Sequence, residues 1–481
     1  MSLEKDNAPG HARRTKIVCT LGPSSSTPEM IEKLIGAGMN IVRMNMSHGD
    51  HESHARTIAA VRDVSNRLGV YIPVLLDLSG PKMRIGTFAG GSVMLKAGAT
   101  FAITTEEVEG DWNRVTINYA PLVRDLSKGD CVLMGDGEIE MCVTGKSDTD
   151  AICEVVVGGE LKSRKGVNAP GVELREGVPT KKDLVDVEFG IAQKVDWLAL
   201  SFVRSVDEVK KLRSLLEERH SDIPIIVKIE KREALDDIDA LLDASDGMMV
   251  ARGDLGLEMP IEQVPLIQKD LIRCARTAVK PVITATQMLE SMMENPRPTR
   301  AEASDVANAV FDGTDAIMLS GETASGRYPV EAVRMMADIA LASEARIDYA
   351  GRFTRTRLAT DMSIPEAIAR AACYTAIETN AKVIVCCTRS GKTALQISNH
   401  RPAAKIAVIS PHDDTLLRTM LYWHTHPIKI SVEPDTDAMI KVARRAVLES
   451  GIASKGDRIV IVAGVPVDVP GTTNMVKADV L

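Results

Sequence analysis

Eight short runs of aliphatic and β-branched residues punctuate the first two thirds of the chain, and most lead into a polar–apolar pattern of helical period. They begin at Thr15 (TKIVCTL), Asn40 (NIVRMNM), Tyr71 (YIPVLLDL), Trp197 (WLALSF), Pro224 (PIIVKIE), Gly247 (GMMVARG), Lys280 (KPVITATQ) and Asp315 (DAIMLSG). Six of the seven intervals lie between 23 and 35 residues, which suits a strand, a loop, a helix and a return loop. In SSTPEMIEKLIGAG, Thr27 can cap a helix and Pro28 suits its first turn. Met30, Ile31, Leu34 and Ile35 make one apolar face, and glycines end it. Near-continuous apolar strands are buried on both faces, and parallel strands joined by right-handed crossovers meet that demand. Eight such units predict an α/β fold, a (β/α)₈ TIM barrel over 15–83 and 180–350, preceded by an arm at 1–14.

The remaining interval, from Tyr71 to Trp197, is 126 residues and calls for an insertion after the third strand. Residues 84–179 hold strand-like runs (TFAITTE, RVTINYA, CVLMG, ICEVVV) between Gly, Asp and Lys turns, which predicts an all-β domain. Carried on a βα loop, it would hang over the C-terminal face of the barrel as a lid. After PVEAVRMMADIALA comes the polar link GRFTRTRLATDM, and Ser363-Ile-Pro-Glu366 then reads as a capping box. Strand candidates at 382–388, 405–410, 427–431, 457–463 and 474–481, with helical patterns between most of them, predict a separate α/β domain over 351–481.

Composition narrows the function. The 481 residues are 45% hydrophobic and 26% charged, which excludes wholesale disorder. Aromatics at 3% argue against base-stacking platforms, and the net charge of −8 disfavours non-specific binding to nucleic acid or membrane surfaces. No nucleic-acid or membrane partner is expected. The eight cysteines form no C-x-x-C pair and sit mostly in strand-like runs, as buried thiols of a reducing compartment do. With no apolar leader at the N-terminus and no run of about 18 apolar residues, the expected location is cytoplasmic.

The strand ends carry the chemistry. Arg43, Asn45, Ser47 and His48 follow the second strand, and Asp77, Lys82 and Arg84 the third. Lys228 and Glu230 end the fifth, Arg252 and Asp254 the sixth, Thr286 the seventh, and Ser320 and Glu322 the eighth. Any one could be a rim salt bridge, but such a set on apolar strands is costly unless it binds something charged. Glu230 and Asp254 are hard oxygen ligands suited to Mg²⁺ or Mn²⁺, and Arg43, Lys82, Arg84 and Lys228 can clamp anions. A divalent cation with several fixed positive charges is what phosphoryl transfer needs. Lys228, two residues before Glu230, points to the same side of its strand.

TKIVCTLGPSS, NIVRMNMSHG, KGVNAPG, VKIEKREAL, MVARGDLGLE, ITATQMLESM, NPRPTRAEASDVANAVFDGTDAIMLSGETA and TRSGKTA occur in this order. They resemble the signatures of the pyruvate kinase family over nearly the whole chain, most weakly in the lid and the extreme C-terminus. The resemblance implies transfer of the phosphoryl group of phosphoenolpyruvate to ADP, giving pyruvate and ATP, in a homotetramer. It implies that Arg43 meets phosphate, and that Asn45, Ser47 and His48 border the nucleotide phosphates and the monovalent-cation region. Arg84 and Lys165 would contact nucleotide or transferring phosphate. Lys228 would stabilise the phosphoryl group and enolate oxygen, and Glu230 and Asp254 would hold Mg²⁺. Gly253 and Thr286 would bind the substrate carboxylate, with Thr286 and Ser320 in a proton relay. A non-catalytic sugar-phosphate sensor and another phosphoenolpyruvate-using barrel are the competing readings. The intact catalytic set argues against the first, and the lid and terminal domain against the second.

Three details refine that expectation. Potassium-requiring members resemble D-T-K-G-P-E where this chain has Asp77-Leu78-Ser79-Gly80-Pro81-Lys82. Leu78 removes a hydroxyl and Lys82 places an ammonium where a carboxylate would stand, so K⁺ is expected to be unnecessary, unless Lys82 merely pairs with Asp77 or a nearby carboxylate and leaves a K⁺ site intact. Asn45, Ser47 and Asp77 keep the other positions of that pocket. Thr388-Arg389-Ser390-Gly391-Lys392-Thr393 opens a helix after a strand and can cradle an effector phosphate, although Cys386 stands where a Walker sequence needs glycine. The loop GVPVDVPGTTN has no Lys or Arg and contains Asp468, which favours a sugar monophosphate or AMP over a bisphosphate activator. His48, His51 and His54 lie close together at the start of a helix, where capping or solvent exposure is expected rather than metal ligation.

Overall fold

A computed structural model describes residues 13–135, 137–172, 175–355, 362–433, 435–466 and 471–481. Most of the arm at 1–14, part of the polar link after the barrel, and Asp468 lie outside the described residues. Eight parallel strands close into the expected barrel. They are β1 (Lys16–Thr20), β2 (Ile41–Asn45), β3 (Val74–Asp77), β4 (Trp197–Leu200), β5 (Ile225–Ile229), β6 (Gly247–Ala251), β7 (Val282–Ala285) and β8 (Ala316–Leu319). Closure is between β1 and β8, with Lys16 opposite Ala316 and Cys19 opposite Leu319.

Alternation along each strand divides the core in two. Val18, Ile41, Leu75, Ile226, Met249 and Met318 fill the barrel, while Ile17, Val42, Leu76, Val227, Val250 and Ile317 pack outward against the helices. The helix Pro28–Ala37 starts as expected, with the Thr27 hydroxyl accepting the Met30 amide at 3.3 Å. The same period of two turns Thr20, Arg43, Asp77 and Lys228 inward at the C-terminal ends of their strands. There the apolar filling gives way to a polar layer.

The lid is a six-stranded sheet in the order Val167–Asn168, Cys131–Met134, Ile139–Lys146, Asp150–Val157, Thr100–Thr104, Arg114–Thr116. A two-stranded ribbon, Ser92–Leu95 with Gly159–Lys162, accompanies it. It is not purely β. Pro121–Asp125 forms a short helix, because Pro121 takes its first turn and Leu122 and Val123 bury themselves in the lid core. Met83 also packs in that core, so the lid begins one residue before the predicted boundary.

The C-terminal domain is a five-stranded sheet in the order Thr425–Lys429, Lys405–Ser410, Val383–Cys387, Arg458–Gly464, Thr473–Val480, the last strand antiparallel. The strand expected at 427–431 lies at 425–429, because Thr425 and His426 pair with Ile406 and Ala407. Ser363 donates its amide to Glu366 at 2.8 Å, as the capping box requires. Helix Tyr349–Arg355 crosses the predicted boundary at 350/351. Arg13 and Arg14 belong to the barrel floor rather than to an arm: Arg13 donates to the carbonyl of Gly38, and the Arg14 amide to Glu344. The domain docks on that same floor. Lys16 Nζ donates to the Thr425 carbonyl at 2.7 Å, and Arg401 pairs with Asp315 at 2.8 Å. No helix among the described residues is long and apolar enough to cross a membrane.

Candidate active site

Adjacent strands β2, β3, β4 and β5 bring one charged network together at the barrel mouth. Arg43 Nε donates to Asp77 Oδ2 at 2.6 Å, and its Nη1 donates to the Thr20 hydroxyl at 2.9 Å. Lys228 Nζ lies 3.3 Å from Asp77 Oδ1 and 2.8 Å from Glu230 Oε1, and donates to Ser201 Oγ at 2.7 Å. Burial alone would depress the Lys228 ammonium. Asp77 and then Glu230 outweigh it and hold the group above its ordinary value. Burial would likewise raise Asp77, but Lys228 and Arg43 keep it below the usual carboxylate range.

Glu230 behaves oppositely. Burial pushes its carboxyl up, Asp254 adds to the rise, and Lys228 opposes it. Its second oxygen accepts the Phe202 amide at 2.6 Å. Asp254 sits on the helix Arg252–Glu258, and its carboxylate makes no hydrogen bond or ion pair to another described residue. Two carboxylates that repel one another, one of them without a protein partner, fit a divalent cation. No cluster of three or more His, Cys, Asp or Glu occurs among the described residues, so a cation here would complete its shell with water and ligand oxygens, as Mg²⁺ does.

Next along the rim, Thr286 Oγ1 accepts the Gly253 amide at 2.7 Å and donates to the Ala285 carbonyl at 2.7 Å. Thr286 adopts φ 67°, a left-handed backbone that a β-branched residue rarely takes. Arg252 holds it there, donating to the Thr286 carbonyl at 2.7 Å. Such strain persists only where surrounding contacts fix it, and it concentrates at functional sites. Ser320 has a buried hydroxyl with no hydrogen-bond partner among the described residues, while Glu322 serves the backbone by accepting the amides of Leu289 and Ser320. An orphan hydroxyl of this kind suits a chain of waters.

The segment from Pro81 to Gly86 divides the cleft between barrel and lid. One side is lined by Lys82, Asp254, Asn168 and Lys231, and the other by Ser47, His48, Arg84 and Asn118. His48 is held below its ordinary value by desolvation and then by Lys82, Arg84 and Arg43, which marks the region as positive. Although exposed, Lys82 is also pushed down, first by desolvation, with Arg84 and Lys228 adding and Asp254 opposing most strongly. Asp77 pairs with Arg43 and Lys228, not with Lys82. Asn45 Oδ1 accepts the Ser47 amide at 3.1 Å, and Leu78 is buried. Lys165 stands on the lid, 3.4 Å from Glu138, and its carbonyl accepts the Ile85 amide.

The histidines correct an expectation. Asp50, not a histidine, caps the helix His51–Leu68. His54 is buried against the His48 carbonyl at 2.8 Å, and His51 meets Asp186 at 2.8 Å and stacks on Phe189. Ser201 and Thr20 were missed. Each is the hydroxyl residue closing an apolar run, in WLALS and KIVCT, and that placement was the available signal.

In the terminal domain, Thr388, Arg389, Ser390, Lys392 and Thr393 help line a cavity of about 180 Å³. Thr388 Oγ1 accepts the Gly391 amide at 3.1 Å, and the Thr393 hydroxyl meets that of Thr473 at 2.6 Å. Ser431–Glu433 and Gly471–Thr473 also line it.

The protein-family description "Pyruvate kinase, barrel domain" matches residues 12–333, and "Pyruvate kinase, alpha/beta domain" matches residues 366–478. The chain belongs to the pyruvate kinase family. It is 46% identical over 468 residues to the pyruvate kinases of Staphylococcus epidermidis and Staphylococcus aureus, covering 97% of this chain and 80% of each relative. The crystal structure of a pyruvate kinase from Cryptosporidium parvum superposes with a TM-score of 0.91 at 35% identity, over 100% of this chain and 99% of that one. The chain is therefore an enzyme, a phosphotransferase of the pyruvate kinase type.

Proposed function

We propose that the site described above transfers the phosphoryl group of phosphoenolpyruvate to ADP, giving pyruvate and ATP. The observation that carries this reading is the Lys228 ammonium, fixed between Asp77 and Glu230 at the centre of the barrel mouth. A positive charge already oriented there stabilises the phosphoryl group in flight and the enolate oxygen it leaves, with little reorganisation at the moment of reaction. Arg43, braced by Asp77 and Thr20, presents its remaining donors to the same phosphate.

Glu230 and Asp254 would hold Mg²⁺ or Mn²⁺, which supplies charge neutralisation and orients substrate oxygens. The Gly253 backbone and Thr286 hydroxyl bind the substrate carboxylate, and Thr286 and Ser320 border the water chain that protonates the enolate. Asn45, Ser47, His48, Arg84 and Lys165 receive the nucleotide phosphates, supported by the shared cleft of Ser47, His48 and Arg84. Lys82 takes over the charge that K⁺ would provide in the region of Asn45, Ser47, Asp77 and Leu78. Supporting this, two of the oxygen-bearing side chains there, Asp77 and Asn45, already have protein partners.

A sugar monophosphate or AMP bound at Thr388–Thr393 activates the enzyme, which works as a cytoplasmic homotetramer. Pyruvate release coupled to a reporting dehydrogenase, measured with and without ADP, tests the central reading. ADP-dependent pyruvate formation is expected, and its absence with Mg²⁺ and phosphoenolpyruvate present would overturn the assignment.

A further inference from the structure

Cys131 and Cys142 are direct cross-strand partners in the lid, on the antiparallel strands Cys131–Met134 and Ile139–Lys146. The Val143 amide donates to the Asp130 carbonyl at 2.9 Å, so the next pair along the ladder, Cys131 with Cys142, is a non-hydrogen-bonded one. Side chains approach most closely at such pairs, where Cα atoms are about 4.5 Å apart, inside the disulfide range of roughly 4.4–6.8 Å. Both cysteines point away from the lid core, which takes the alternate residues Val132, Met134, Met141 and Val143. Both are half-buried thiols. None of the other six cysteines stands opposite another in the strand registers.

We propose that Cys131 and Cys142 form a reversible redox site, closing to a disulfide by exchange with a small-molecule disulfide. One cysteine thiolate attacks a sulfur of the oxidant and releases one small thiol, leaving a mixed disulfide on the protein. The second cysteine attacks that bond and releases the second small thiol. One disulfide is reduced to two thiols, and two protein thiols are oxidised to one disulfide. Burial, and then the Glu140 carboxylate 3.9 Å from Cys131 Sγ, holds the Cys131 thiol above its ordinary value, which slows its part in the exchange. The position gives the bond a consequence. The same hairpin carries Glu138, the partner of Lys165, and a Cβ on Gly137 would come within 3.2 Å of Leu257 on the Asp254 helix. The link therefore fastens the base of the lid element whose tip rests on the catalytic cleft.

The native full-length enzyme, incubated with oxidised glutathione and then alkylated, is analysed by intact mass and peptide mapping. The expected product has lost two hydrogens, carries a Cys131–Cys142 crosslinked peptide and reverts with dithiothreitol. Cys131→Ser and Cys142→Ser should each instead retain a glutathione adduct on the remaining cysteine. Alkylation of both thiols after oxidation, or a stable glutathione adduct on the wild-type pair, would overturn the proposal.

Discussion

The Thr286 hydroxyl accepts the Gly253 amide at 2.7 Å, tying the end of β7 to the first turn of the helix that carries Asp254. The threonine keeps φ 67° to do so, which links backbone strain to the position of a backbone donor in the proposed substrate pocket. Thr286→Val keeps the shape and the strain but leaves the half-buried Gly253 amide without its acceptor, a loss of about 1–3 kcal/mol. The expected result is a fall in kcat/KM for phosphoenolpyruvate of roughly 10- to 100-fold, with Thr286→Ser close to wild type. Equal losses in both variants would mean that the hydroxyl does not set this pocket.

Lys228 is the buried counter-ion of Asp77 and Glu230, and its proposed role is that of the catalytic charge. Lys228→Met should lower kcat by at least ~10²-fold, the scale for losing one preorganised charge stabiliser. It also leaves Asp77 and Glu230 buried without their shared ammonium, so thermal stability should drop, by about 3–5 kcal/mol for a broken buried pair. Turnover and melting temperature measured on one preparation separate the two effects. Wild-type turnover would remove Lys228 from the mechanism.

The strand-end residues were legible in the sequence because a period of two fixes which side of a strand they occupy, and the barrel closes those sides on one point. Arg43, Asp77, Lys228 and Glu230 meet for that reason. What stayed hidden depends on pairings between distant segments. Lys16 and Thr425 are separated by 409 positions, and no local pattern announces that the terminal domain seats on the barrel floor. Ser201 was overlooked because a single hydroxyl ending WLAL reads as the close of an apolar run, although it accepts from Lys228 at 2.7 Å. The lid helix Pro121–Asp125 was missed because five residues are too few to show a helical period.

The proposed potassium independence rests on the ammonium of Lys82. A monovalent cation beside Lys82 meets like charge, costing about 4 kcal/mol at ~4 Å and an effective dielectric near 20. Activity with Mg²⁺ in tetramethylammonium or Tris salts should therefore match that in KCl. A collapse there that KCl restores would mean that Lys82 does not replace the ion.

The cavity proposed for an effector has Arg389 and Lys392 as the cations among its described lining residues, both within Thr388–Thr393, and Glu433 lines it as well. A hexose or pentose monophosphate, or AMP, should raise activity at subsaturating phosphoenolpyruvate, while fructose 1,6-bisphosphate should do little. Strong activation by the bisphosphate alone would place a second cationic patch where none is expected.

Lys16 makes stability depend on pH. It is 5% exposed on the barrel floor, and burial pushes its ammonium down to about 7, with Arg13 adding and Glu344 opposing. Below pH 7 the group is charged in both folded and unfolded chains, so the full desolvation cost falls on the fold. Between about 7 and 10.5 the folded chain has released the proton and the unfolded chain still holds it, so stability rises with pH. Above that window both forms are neutral and the cost is gone. Lys16→Met removes the titration while leaving the Thr425 carbonyl without its donor at every pH. Relative to this variant, wild type should therefore gain on the order of a few kcal/mol from about pH 6.5 to about pH 10, seen as a shift in the difference between their melting temperatures. A difference that stays constant across that range would show that the Lys16 ammonium is not held down by its burial.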